Sequence, residues 1–192
     1  MNLEQFKLLS EKQIIEYGKT IPLGYTYNSN GNKLTYKDSN DYWWESTYDS
    51  NGNELTHKDY NDYWSEYTYD SNNNQLTYKD SNDYWSESTY DSNNNELTHK
   101  NSNDYWSEST YDSNGNVLTH KDSNGVNRIA LIKGEEYTLW YDIDSKQYVA
   151  GCRELSYKNC LAYYKTDKDE YVDAEIFMKT IKEHHKTVAI VL

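Results

Sequence analysis

The sequence predicts a mainly β protein, an antiparallel β-hairpin repeat array with an N-terminal capping helix and a small α+β C-terminal cap. Three observations carry this. Five copies of a 21-residue unit run 25–45, 46–66, 67–87, 88–108 and 109–129, in a register held by Tyr27, Tyr48, Tyr69, Tyr90 and Tyr111. Each copy alternates two strand-like stretches, such as YWSESTY and ELTHK, with two turn-like ones, DSNGN and DSND. Composition changes on both flanks. A fixed period near 20 residues marks a stacked architecture in which no copy buries its own surface alone.

Residues 1–24 form the first expected division. Asn2 with Gln5 gives a capping box, Leu3, Phe6, Leu9 and Ile14 fall near helical spacing, and Gly18 is a natural stop. One helix over 2–17 is expected, closing an end of the array.

Residues 25–129 are the array itself. Asn51–Gly52 predicts a type I′ hairpin turn, and Asn73 and Asn94 replace the glycine with the side chain that best tolerates positive φ. About ten strands result. Period-two alternation puts Tyr63, Ser65, Tyr67 and Tyr69 on one face and Trp64, Glu66 and Thr68 on the other, leaving open which faces solvent. Equivalent residues stack into ladders at ~9.6 Å, two strand spacings. With one Leu per copy, the core must come from Tyr and Trp rings.

Residues 130–192 form the third division. EYTLWYD (136–142) and YVAGC (148–152) read as a hairpin. Ser156 is a candidate cap for a helix through Tyr164, and Asp173 for a second whose buried side holds Ile176, Phe177, Thr180 and Ile181. The tail TVAIVL reads as a final strand or a docked extended segment.

Charge sorts the function classes. Of the net −13, residues 25–127 hold 18 acids and 6 lysines, a net −12. Direct nucleic-acid binding is disfavoured, because it rests on neutralising phosphates with Lys and Arg. A basic partner fits better, although the acids also serve to keep sheet edges soluble. No basic leader with an apolar run and no ~20-residue apolar stretch stands out. Two cysteines, Cys152 and Cys160, are too few for a disulfide framework, so a cytoplasmic setting is expected.

The string Tyr48-Asp49 with Gly52-Asn53, repeated as Tyr111-Asp112 with Gly115-Asn116, resembles the YD repeats of Rhs-type proteins over residues 25–125. Copy one departs with Tyr27-Asn28, and copies three and four lack the glycine. Large Rhs proteins coil into a shell around a toxin, which five copies cannot enclose. The short layout, ending in a module with Ala150-Gly151-Cys152-Arg153, looks like small bacteriophage and prophage proteins. That resemblance implies an inhibitor of host defence, of the anti-CRISPR or anti-restriction type.

Catalytic and metal readings are weaker. Cys152 beside Arg153, with His184 or His185 as base, lacks any nucleophile motif. His57, His99 and His120 are ~10 Å or more apart in a stack, too far to share zinc, and Tyr36 and Tyr78 fill the same position. In D-S-N-G-N the glycine falls at the wrong place for an EF-hand and Tyr60 stands where its bidentate Glu belongs. No cofactor, metal or enzymatic activity is expected.

The partner-binding candidates are Asp41, Trp43, Glu45, Asp62, Trp64, Glu66, Asp83, Trp85, Glu87, Asp104, Trp106 and Glu108. Twelve net charges over ~48 Å is about one per 4 Å, against one per ~1.7 Å in duplex DNA, so a DNA-like decoy is feasible. The interleaved rings suit interface anchors. The expectation is a monomer or weak homodimer that binds and inhibits a host protein with a basic, nucleic-acid-handling surface, without touching membrane. The alternative is a carbohydrate- or cell-wall-binding aromatic repeat protein.

Overall fold

A computed structural model describes residues 1–151, 153–166 and 173–191. The protein is mainly β: among the described residues, fourteen antiparallel strands follow one another in consecutive hairpins, with short N-terminal helices and C-terminal helices. It divides into two compact units, Met1–Asp104 and Tyr105–Leu192.

The first unit opens with α1 (Leu3–Phe6) and α2 (Glu11–Gly18), where one helix was expected. The break lies at Ser10, whose backbone N–H donates to Gln13 Oε1 at 3.0 Å and starts a second helix. Asn2 and Gln5 do form the expected capping box.

Eight strands follow: β1 (Gly24–Tyr27), β2 (Lys33–Lys37), β3 (Trp43–Tyr48), β4 (Glu54–Asp59), β5 (Trp64–Tyr69), β6 (Gln75–Asp80), β7 (Trp85–Tyr90) and β8 (Glu96–Asn101). Their spatial order is their chain order. The helices do not close the end of the array. They lie on the sheet face, where Phe6, Ile14 and Ile21 bury Trp43 and reach toward Trp64. Strand β1 is left largely exposed.

The turns differ from the type I′ expectation. Asp49 N–H donates to Asn53 O at 2.9 Å and Gly52 N–H to Asp49 O at 3.3 Å. Positive φ occurs at Gly52 (89°) but not at Asn51. This is a type I turn ending in one left-handed residue, with a bulge beside it between Thr47 and Tyr48. The Asp49 side chain organises it, accepting backbone N–H groups from Asn51 and Asn53. Asn73 and Asn94 take the glycine's place and add a link between copies: Asn53 Nδ2 donates to Asn73 Oδ1 at 2.7 Å, and Asn74 Nδ2 to Asn94 Oδ1 at 2.9 Å.

The second unit holds β9 (Trp106–Tyr111), β10 (Val117–Asp122), β11 (Asn127–Lys133), β12 (Thr138–Asp142), β13 (Gln147–Ala150) and β14 (Arg153–Leu155), then α3 (Tyr157–Thr166) and α4 (Ala174–Val191). Strand β11 pairs with both β10 and β12, so the array merges into the hairpin at 138–150. Leu139, Tyr148, Cys160, Tyr164, Ala174, Phe177 and Ile181 form the core. Ile176 faces solvent, since the buried stripe of α4 runs Ala174–Phe177–Ile181. The tail is not a strand: α4 continues to Val191.

Asp173 does more than precede a helix. Its carboxylate accepts backbone N–H groups from Glu135 (2.7 Å), Glu136 (3.1 Å) and Tyr137 (3.3 Å). Burial, the largest influence, pushes this carboxyl up, but the three donors together hold it below its usual range. Gly134 leaves room for it, since a Cβ there would lie 2.2 Å from Asp173 Cγ.

Candidate functional site

One face of the first unit carries a repeated pattern of Trp, Lys and Glu. Cross-strand register sets Glu45 opposite Lys58, Glu66 opposite Lys79 and Glu87 opposite Lys100. The same lysines lie opposite the next tryptophan, Lys58 with Trp64 and Lys79 with Trp85. Each Lys is therefore flanked by a carboxylate and an indole. In the second unit, Glu108 faces Lys121, whose Nζ is 5.1 Å from the Trp106 ring centroid.

The expected Trp and Glu contact residues of the first unit separate into three groups. Trp43 is 2% exposed and sealed under the helices, which excludes it as a contact residue. Tyr17 and Phe6 meet its ring edge-on. Glu45 is consumed there as well, accepting from Tyr17 Oη at 2.5 Å and pairing with buried Lys58 at 3.4 Å. Burial lowers the Lys58 pKa against the opposing pull of Glu45.

Trp64 and Glu66 form the second group, half-buried and taken by the helical segment. Lys7 Nζ sits 4.1 Å from the Trp64 ring centroid and 3.0 Å from the Glu66 carboxylate. Trp85 and Glu87 form the third. Glu87 pairs with exposed Lys100 at 2.8 Å. A groove of about 480 Å³ opens beside Trp85. With its glutamates paired to lysines, this face is not an acidic surface.

The exposed acid lies instead on the turns. Asp41, Asp62, Asp83 and Asp104 are exposed, each with φ between 60° and 64°. Each is the left-handed residue of a turn built like the DSNGN turn. In the Asp62 turn, Asp59 accepts N–H groups from Asn61 at 2.8 Å and Tyr63 at 3.3 Å. Copy five puts Gly125, with φ 87°, at this position. Asp is among the few non-glycine residues that tolerate it. Asp41 also pairs with Lys37 at 3.2 Å.

The opposite face explains the histidines. Residues directly across each hairpin are either Ser with His or Tyr with Tyr: Ser46–His57, Ser88–His99 and Ser109–His120 against Tyr25–Tyr36 and Tyr67–Tyr78. Each Ser Oγ lies 2.9 Å from its His Nδ1. The histidines therefore serve cross-strand pairing. Among the described residues, no group of three or more His, Cys, Asp or Glu could hold a metal ion. None of the described helices is long and apolar enough to cross a membrane.

Cys152 lies outside the described residues. Arg153 rests its guanidinium 4.4 Å from the Tyr163 ring centroid. His184 Nδ1 is 3.1 Å from Tyr148 Oη, and His185 stacks on Tyr157 at 3.6 Å. Burial lowers the His184 pKa and lifts the Cys160 thiol to about 12.

The lysines between Trp and Glu are what the sequence reading missed. Lys58, Lys79 and Lys100 recur every 21 residues, and folding each hairpin about its turn would have placed them opposite the glutamates.

This geometry defines an antiparallel hairpin-repeat protein. No protein-family model matches the sequence, and no curated protein matches it. Among solved structures, TcdB2-TccC3 is similar over 62% of this chain at 13% identity, with a TM-score of 0.46. The TcdB2-TccC3-Cdc42 structure is similar over 65% at 16% identity, with a TM-score of 0.42. This chain spans 8% and 7% of those chains.

Proposed function

We propose that this protein is a non-enzymatic binding protein that engages a basic partner surface along the turn edge bearing Asp41, Asp62, Asp83 and Asp104. One observation carries the reading. The four carboxylates are exposed at equivalent left-handed turn positions, where copy five uses glycine, so the backbone does not require their charge. A row of like charge attracts its opposite and speeds encounter. The partner we infer is a host protein that handles nucleic acid, because its cleft is already built to receive a row of anions. Occupying that cleft would inhibit it, as the resemblance to small phage proteins implies for host defence systems.

The test uses glycine as a silent replacement. Partners captured from bacterial lysate are identified, then offered the wild type and a variant with Asp41→Gly, Asp62→Gly, Asp83→Gly and Asp104→Gly. The variant keeps its circular dichroism and loses the partner, and wild-type capture weakens as salt rises. Capture that ignores both salt and the four substitutions, or retention on immobilised cell-wall glycan in place of protein, overturns the proposal.

A further inference from the structure

The helical segment shows how the array's face receives a cation. Trp64 and Glu66 are two residues apart on β5, so ring and carboxylate project side by side. Lys7 fills this seat, 4.1 Å from the ring centroid and 3.0 Å from the carboxylate. Its side chain is 18% exposed there. Burial, the largest influence, lowers its pKa, but Glu4 and Glu66 together leave it raised, so Lys7 stays charged.

The same seat recurs 21 residues on. Trp85 and Glu87 hold the same spacing on the same face of β7. The difference lies in what fills it. Glu66 is taken by a lysine from another part of the chain, whereas Glu87 pairs at 2.8 Å with its own cross-strand neighbour, Lys100. That pair is open to solvent, with side chains 56% and 53% exposed. The groove of about 480 Å³ lies against it, lined by Glu66, Thr68, Thr77, Lys79, Trp85 and Glu87.

We infer that Trp85 and Glu87 form a recognition site for a lysine or arginine side chain of a partner protein, held as Lys7 is held by Trp64 and Glu66. This rests on the reading of the chain as a binder of basic partners and names a second point of contact, on the face instead of the turn edge. Its occupant is set by the copy that is already filled. An exposed ion pair such as Glu87–Lys100 is weakly held. Lys100 Nζ stands 5.8 Å from the Trp85 ring centroid, against 4.1 Å for Lys7 over Trp64, so an incoming cation that displaces Lys100 keeps the carboxylate compensated and gains the closer contact with the indole face. Arginine suits the seat as well as lysine, because its planar group stacks on aromatic rings.

The test is a titration of the full-length, isotopically labelled protein with a capped synthetic peptide of residues 3–9. Indole N–H resonances are the readout, and that of Trp85 is identified through Trp85→Phe. The Trp85 signal shifts saturably with the peptide and with a Lys7→Arg peptide, and not with a Lys7→norleucine peptide. In the protein, Glu87→Gln weakens binding about tenfold, through loss of a charge-assisted contact. The four-glycine turn-edge variant keeps the same affinity, which separates this site from the turn-edge proposal. The inference is overturned if the norleucine peptide binds as well or if no shift appears at millimolar peptide. It is equally overturned if Trp64 alone responds, if chitin oligosaccharide shifts Trp85 where the peptide does not, or if Glu87→Gln abolishes self-association instead.

Discussion

Ser46 Oγ lies 2.9 Å from His57 Nδ1, directly across the β3–β4 hairpin, and two further copies repeat the pair while two replace it with Tyr opposite Tyr. The two solutions are alternative ways to fill one cross-strand position. Ser88→Tyr and His99→Tyr are each expected to destabilise the protein. The double variant recreates the Tyr67–Tyr78 arrangement, whose rings are 5.0 Å apart. Urea titration of the four proteins checks this, with a favourable coupling of about 1 kcal/mol expected for Tyr with Tyr.

The left-handed turn positions make a second prediction. Asp62→Gly and Asp83→Gly relieve a backbone cost and are expected to be neutral or stabilising by up to about 1 kcal/mol. Asp62→Val places a β-branched residue at φ 64° and is expected to cost about 1–2 kcal/mol or more. The midpoint of chemical unfolding distinguishes the outcomes.

Much of this was legible in advance. The period, the strand count of the array and the two-face alternation follow from Tyr27 to Tyr111 and from the turn residues, because strand chemistry is local. The type of turn was not, since Asp-Ser-Asn-Gly-Asn supports more than one hairpin geometry and only the hydrogen bond from Asp49 N–H to Asn53 O decides it. The burial of Trp43 was hidden for a different reason. It holds the same repeat position as Trp85, 42 residues on, and the docking of Phe6 and Ile14 sets them apart. The tail at 187–191 reads as strand by its β-branched residues, yet α4 runs on through it. A preference summed over a few residues is weak against an established helix.

Asp173 supplies a pH prediction. Its carboxyl is held below the usual range in the folded state, so its stabilisation is complete above the unfolded value of about 3.9. It is lost as pH falls through the lower folded value. Asp173→Ala leaves the N–H groups of Glu135, Glu136 and Tyr137 without their acceptor and is expected to cost about 1–3 kcal/mol at neutral pH. The variant should also show a flatter dependence of stability on pH in the acid range, measured by thermal melts across that range.

Removing residues 67–87 is expected to leave a folded protein. The splice joins Glu66 to Ser88 in register, and the Ser88–His99 pair survives because both residues belong to copy four. Removing ten residues instead reverses the side-chain alternation and is expected to cause aggregation. Circular dichroism and size-exclusion profiles of the two deletions test the contrast.

Gly18 brings α2 so close to Trp43 that a Cβ would lie 2.1 Å from the indole nitrogen, and Lys37 Nζ donates to the Gly18 carbonyl at 2.9 Å. A run of interchangeable copies has no landmark of its own, and this contact gives it an origin. A chain that gained a repeat after residue 66 would keep its helical segment over Trp43, so the addition would fall wholly on the uncovered side. Valency toward any ligand of that face would then rise one step per 21 residues, with the anchorage of the first copy unchanged.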